Sequence, residues 1–387
     1  MSLETIVTKT LTWVRQNRQE KIQAEEAFYR ASQWQLVWWR FRKHKLAQIA
    51  MVVLAILYFI AAFCEFLSPY GPEQRFAEYS SVPPMAIHLF DRDENGRLRI
   101  QPFVYGLKKE RDPVTARLKY APDPNQKFPV RFFVRGPEYK LWGKFKSDLH
   151  LFGAEGIPVF LMGTDKIGRD VLTRIFYGSR ISLTVGLVGV FFSFVLGLIL
   201  GGISGYFGGT VDEVIQRIID LLISIPTIPL WMALAAALPQ DWSQIRQYFV
   251  ITLILSILGW TSLARVVRGK ILSLREEDFT LAARLYNASE WRIITRHLLP
   301  AFASYIIVSL TLAIPNMILG ETALSFLSLG LRPPTISWGV MLQDAQNIIS
   351  IAQTPWMLWP CAFVIITVLM FNFLGDGLRD AADPYAK

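Results

Sequence analysis

The sequence predicts an all-α polytopic membrane protein with six spanning helices and a small β-containing insert between the first and second. Three observations lead there. Hydrophobic residues make up 52% of 387 and charged residues 18%, with a mean hydropathy of +0.32; a soluble domain has too much surface for so few charges. Several apolar runs reach the length of about 20 residues that a helix needs to cross about 30 Å of hydrocarbon. Between the first two runs, residues 69–160 are polar and carry short alternating stretches, the pattern of strands.

Taken in order, residues 1–45 hold nine lysines and arginines and no apolar core before Leu46, so no cleavable signal peptide is expected. Trp13, Trp34, Trp38 and Trp39 lie among those bases, a mix suited to a helix resting on the cytoplasmic interface. Spans are expected over 46–68, 181–204, 214–238, 248–264, 302–329 and 355–374. The loop 265–299 holds seven basic residues, whereas 239–247 and 332–354 hold one each, Arg246 and Arg332. Positive-inside logic puts both termini and the 265–299 loop in the cytoplasm and the 69–160 insert outside. The net charge of +9 follows from bases gathered beside spans, which removes the case for nucleic acid as a partner. Cys64 and Cys361 fall in apolar runs, so no disulfide is expected.

The insert is rich in proline and aromatics. Pieces such as Arg97-Leu98-Arg99-Ile100 and Val130-Arg131-Phe132-Phe133-Val134 predict strands in a small ordered domain facing a solute-delivering protein or the route inward. After it, 161–180 reads as a collar bracing the outer mouth. Gly163 and Gly168 supply tight turns beside Thr164, while Asp165, Arg169, Asp170 and Arg180 are expected to pair with one another. Neither a histidine pair nor a carboxylate–histidine set suggests a metal there.

Gly197, Gly201 and Gly205 make two GxxxG steps in the second span, the spacing of close helix packing in lipid. In the third, Glu213, Arg217 and Asp220 can share a helical face. Pro226 and Pro229 are each expected to remove an intrahelical hydrogen bond, and the freed carbonyls suit a water-lined translocation path. Pro315 with Asn316 supplies a similar break in the fifth span. Glu321 follows, an intramembrane acid suited either to structural hydrogen bonding or to contact with substrate or gate.

Most telling is the cytoplasmic segment 276–300. Glu276, Glu277 and Asp278 open it and Arg292, Arg296 and His297 close it, which complements a helix dipole. Phe279, Ala282, Ala283 and Tyr286 recur on helical spacing and are expected to form one face. The small Ala282-Ala283 pair permits close approach of a partner but anchors poorly in lipid. Asn287 suits a left-handed break between two short helices.

These residues resemble the coupling loop of permeases of the oligopeptide/dipeptide ABC-importer family, in particular its second, C-type subunit. The family's pattern of Ala-Ala, three residues, glycine, then a spacer to Leu-Pro is similar to Ala282-Ala283, Asn287 in place of the glycine, and Leu299-Pro300. Three further stretches resemble family signatures: Gly163-Thr164-Asp165-Lys166-Ile167-Gly168-Arg169-Asp170, Glu321 to Gly330, and Leu374 to Asp380. The resemblance covers the first span and 160–384, and the insert looks like the outer domain of some C-type subunits. It implies six helices of the type I importer kind, with a core over 181–375 and a cytoplasmic tail over 376–387. It also implies a bacterial inner-membrane location, a homologous second permease, a solute-binding protein, and two ATPase subunits that bind ATP and Mg. Substrates would be short peptides or similar small solutes, and the ATPases would dock on Glu277, Ala282, Ala283, Asn287, Leu299 and Pro300.

An enzyme is not expected. His44, His88, His150 and His297 are isolated, and there is no phosphate-binding G-x-x-x-x-G-K-[ST] loop, so no cofactor is assigned to this chain. The competing reading is a secondary transporter working by alternating access without ATPase partners. That reading calls for internal repeats, which the two halves do not display.

Overall fold

The structure is a computed structural model and describes residues 32–92, 98–111, 118–239 and 241–382. Most of the expected interfacial segment 1–45, and the end of the 376–387 tail, lie outside these residues. Among those described, five helices are long and apolar enough to cross a membrane, and a bent pair supplies a sixth crossing if it counts as one span.

Helix α1 (Gln33–Phe41) opens on a capping box between Ser32 and Gln35 and leads into α2 (Lys45–Ala62), the first long apolar helix. Helix α3 (Val171–Phe207) starts on an Asp170 cap, about ten residues before the expected start of the second span. The second half of the supposed collar is therefore helix. The early start follows from Asp170, whose carboxylate accepts the Thr173 N–H at 2.8 Å and satisfies a donor that a helix start leaves open.

The third span is not one rod. Helix α4 (Gly209–Ser224) meets α5 (Thr227–Ala236) at 85°. Pro226 is the cap residue of α5 and Pro229 lies in its first turn, positions whose N–H groups have no partner within a helix anyway. The expected loss of hydrogen bonds at both prolines is thus corrected: they permit a corner instead of breaking a rod. The expected Glu213–Arg217–Asp220 grouping is also replaced. Asp220 pairs with Arg265, and Asp212 with Arg268, both on α6 (Gln244–Leu274). Those contacts bind α4 to α6.

Helix α6 runs beyond 248–264 at both ends and packs on α3 through the glycines. A Cβ on Gly201 would lie 2.5 Å from the Ala264 carbonyl oxygen, and one on Gly205 would lie 2.8 Å from that of Arg268. Backbone meets backbone there, which only glycine allows. Beyond α7 (Asp278–Leu285) come α8 (Ala303–Phe326), α9 (Trp338–Asp344) and α10 (Trp359–Ala382).

Between α2 and α3 stands an antiparallel sheet in the order β1 (His88–Arg92), β2 (Leu98–Arg111), β3 (Leu118–Leu141) and β4 (Phe145–Ala154). A sheet this small buries too little surface to stand alone, and its core is shared. Val104, Tyr120, Val130 and Phe152 pack with Val82, Val159, Phe160 and Leu172, the last on α3. The insert is thus built into the permease body.

Candidate functional site

Three sites can be assembled from the residues upward. The first is the coupling segment. Helix α7 follows Glu277, its cap residue, and carries Asp278 in its first turn and Arg284 in its last, the charge order that a helix dipole favours. Thr280 is buried and donates to the Leu274 carbonyl at 2.9 Å, which closes the turn from α6. Of the four residues expected to form one face, Ala283 departs: it lies three positions after the buried Thr280 and is itself buried against Tyr206, Val267, Ile271 and Leu298, whereas Phe279, Ala282 and Tyr286 are exposed. Ala282 and Ala283 part because successive helical residues point about 100° apart. Asn287 takes the left-handed conformation at φ 55° and ends the helix. No single amphipathic helix runs on to His297; a turn over Glu290–Arg292, a π-helix over Ile293–Leu298 and the Leu299–Ala301 turn with Pro300 follow.

The outward side of this segment is unusually apolar for water. Leu285 and Tyr286 are 88% and 89% exposed and Trp291 61%, with Ala282 and Phe279 beside them. The segment thus has a buried foot on Ala283 and an open apolar crest, and Leu285 and Trp291 were not singled out from sequence.

The second site is the collar. Gly163 and Gly168 adopt φ values of 78° and 80°, and a Cβ on Gly168 would strike the Phe76 carbonyl oxygen. Thr164 accepts the Val82 N–H at 2.8 Å and donates to the Tyr79 carbonyl at 2.6 Å, joining the loop to the segment before the sheet. Asp165 is the hub. It accepts from the Ile167 and Arg169 amides, from Arg169 Nε at 2.7 Å and from Arg174 at 2.9 Å. Both arginines also face Asp344 of α9, at 3.6 and 3.5 Å.

The expected four-residue pairing is therefore revised. Asp170 caps α3, and burial pushes its carboxyl up, to about 7, against the amide hydrogen bonds at the helix start. Arg180 lies on α3 and grips the end of α2, donating to the Ala61 and Ala62 carbonyls and to both oxygens of Glu65. Arg174, Asp344 and Glu65 were missed from sequence. Replacing Asp165 by Asn is expected to destabilise the chain by about 3 kcal/mol, because Arg174 would stay buried with only its longer contact to Asp344. A thermal melt in detergent checks this; an unchanged Tm contradicts it.

The third site is the membrane path. Pro315 is buried inside α8, whereas Asn316 is exposed and lines a cavity of ≈ 310 Å³ between α3, α6 and α8. Ser193, Ser262, Tyr305 and Ser309 line it too. Tyr305, Ser309 and Asn316 fall on one face of α8, a polar stripe legible in the spacing but not picked out from sequence. Pro226 and Pro229 are not among the lining residues of this cavity. Glu321 is wholly buried away from it and accepts from Ser325 at 2.8 Å, Ser337 at 2.7 Å and Ser182 at 3.4 Å. Each hydroxyl in turn accepts a backbone N–H, from Leu331, Val340 and Trp338. This geometry is that of a structural knot between α3, α8 and α9.

Comparison with known proteins gives these sites their setting. Residues 193–387 match the family described as "Binding-protein-dependent transport system inner membrane component", and 32–84 match the N-terminal transmembrane domain of oligopeptide transport permease C. The two stretches leave 85–192, with the sheet, between them. A dipeptide transport system permease protein of Bacillus subtilis (strain 168) is 30% identical over 347 residues, which cover 90% of this chain and 84% of that one. One from Lactococcus lactis subsp. cremoris (strain MG1363) is 35% identical over 356 residues, covering 90% of each. An oligopeptide transport system permease protein of B. subtilis is 38% identical over 223 residues, 57% of this chain and 70% of that one. The secondary-transporter reading is not favoured by these relatives. The chain belongs to the oligopeptide/dipeptide ABC-importer permease family, as a non-catalytic transmembrane subunit of the C type.

Proposed function

We propose that this chain forms one wall of the translocation path of an ATP-driven importer for short peptides, with a homologous second permease forming the other. A solute-binding protein delivers the peptide at the outer face. Two ATPase subunits, which hold ATP and Mg, dock on the 276–300 segment and drive the path between outward and inward openings. Substrate class is carried over from the relatives, which are dipeptide and oligopeptide permeases. The observation that carries the coupling reading is the exposure of Leu285 and Tyr286 beside Ala282. A crest of this kind on a water-facing loop calls for a protein to cover it. Chemistry at the path is supported by the uncharged hydroxyl and amide groups around the cavity, which can hydrogen-bond a peptide backbone without selecting its side chains.

The test is purification and uptake. An importer half should co-isolate with one homologous permease and two ATPase chains, and proteoliposomes holding the complex should take up short peptides only with ATP and binding protein. Isolation of the chain alone, with uptake driven by an ion gradient, would sink the reading.

In the same proposal both termini and α7 face the cytoplasm and the sheet lies outside, supported by the basic residues around α7 and before α2. A cysteine at Glu110, an exposed position on β2, is expected to react with an impermeant maleimide in spheroplasts. Labelling only after lysis reverses the topology.

A further inference from the structure

We propose that the tip of the β3–β4 hairpin is a second membrane contact, seated in the headgroup layer of the outer leaflet beside the end of α2. The inference rests on α2 spanning the bilayer, and on the orientation above only for the choice of leaflet.

Contacts along the hairpin set its direction. The His150 ring meets the Ser68 carbonyl, the Phe133 ring lies 6.3 Å from Phe66, and Trp142 Nε1 donates to the Ala62 carbonyl at 2.7 Å. Ala62 is the last residue of α2. The hairpin therefore runs back toward the bilayer, and its tip ends level with the last turn of the span.

At that level the rings form one strip. Phe59, 53% exposed on α2, touches Phe63 at 4.8 Å; Phe63 touches Trp142 at 5.5 Å; Trp142 touches Phe145 at 6.5 Å. Trp142 and Phe145 remain 51% and 62% exposed. The strip thus continues the lipid-facing surface of α2 onto the hairpin. Trp at the boundary suits the interface, where an apolar ring and a polar N–H are both accommodated.

Charge points the same way. Between Tyr139 and Ser147 the chain carries Lys140, Lys144 and Lys146, all exposed, and no acid. Such bases beside aromatics match a surface of lipid phosphates. A water-facing turn would also be built differently. Trp142 and Gly143 have φ of 51° and 72°, and the Lys144 N–H donates to the Leu141 carbonyl at 3.0 Å. A two-residue turn with both φ positive favours Asn-Gly or Asp-Gly. Here a bulky indole occupies the strained first position.

The test uses the complete transporter in vesicles of phosphatidylcholine and phosphatidylglycerol, in a Cys64→Ala, Cys361→Ser background. A polarity-sensitive fluorophore is attached at Lys144→Cys, or at Glu110→Cys toward the other end of β3. Lipids carry a nitroxide on the upper acyl chain, within the depth of about 5–10 Å that interfacial groups reach. The expected result is loss of most of the tip signal and little loss at the Glu110 position. Phe145→Glu, which leaves Trp142 and its bond to Ala62 in place, should bring quenching at the tip down to the level of the Glu110 label. Two results overturn the proposal: a tip label quenched no more than the Glu110 label, or quenching that appears with the chain alone and vanishes in the complete transporter, which would assign the strip to a protein. Peptide uptake by the same vesicles reports on the transport reading separately, so loss of uptake with quenching retained leaves this contact standing.

Discussion

Replacing Leu285 and Tyr286 together by glutamate is expected to strip the ATPase subunits from the complex while leaving the permease folded. Both side chains are almost fully exposed, so their loss removes no internal packing. At an interface, burying a leucine contributes about 1.5–3 kcal/mol and a tyrosine anchor about 2 kcal/mol or more. A combined loss of about 4 kcal/mol weakens association roughly a thousandfold. Two carboxylates that must be desolvated would deepen the defect. The measurement is co-purification of the ATPases with tagged permease, together with peptide-stimulated ATP hydrolysis. Wild-type values for both would show that the crest is not the docking surface. Ala283→Arg is the contrasting control. Its side chain would enter the cluster of Tyr206, Val267 and Ile271, so misfolding is expected there, not clean uncoupling.

Glu321→Ala should cost about 3 kcal/mol or more of stability, the second large effect. It would leave the hydroxyls of Ser182, Ser325 and Ser337 without their common acceptor inside the protein. Each buried polar group so orphaned costs about 1–3 kcal/mol. Glu321→Gln retains the shape and one acceptor oxygen, so its loss should be nearer 1 kcal/mol. If the group is structural, the glutamine variant will be close to normal in uptake once corrected for the amount of folded protein. A stable glutamine variant that assembles with its partners but transports nothing would instead place the carboxylate in the gating cycle.

What could be read from sequence divides along physical lines. Apolar length placed the long helices, because hydrocarbon thickness sets it directly. The glycine steps at 197, 201 and 205 announced the close approach of α3 to a neighbour, though not that the neighbour is α6. Asn287 was legible as a left-handed break because few residues tolerate that conformation. Direction was harder. Ala282 and Ala283 look alike in a sequence, yet one faces solvent and the other the core; only the packing of α6 and the π-helix decides which. Long-range pairing was hidden altogether. Arg180 and Glu65 are 115 positions apart, so neighbouring charges in the collar looked like better partners than the true one. Two of the serines that hold Glu321 were hidden likewise, since Ser182 comes from α3 and Ser337 from the cap of α9. Proline was read as a breaker of hydrogen bonds in the third span, whereas its place at a helix start made it a corner.

The length of α3 has a mechanical consequence. Its 37 residues make a rod of about 55 Å at 1.5 Å per residue, well beyond the thickness of the hydrocarbon. One end is clamped by Asp170 and Arg174 in the collar; near the other, the Tyr206 ring lies 5.3 Å from the Arg284 guanidinium of α7. A stiff strut of this kind does not absorb motion along its length. A tilt of about 5° imposed at the α7 end carries the collar end sideways by about 5 Å over that span. Along the glycine face, Leu263, Val267 and Ile271 of α6 seat in the notches at Gly197, Gly201 and Gly205, so α6 tilts with the strut instead of sliding along it. Force applied at one face of the membrane therefore arrives at the other as displacement, without any intervening segment having to unfold or refold.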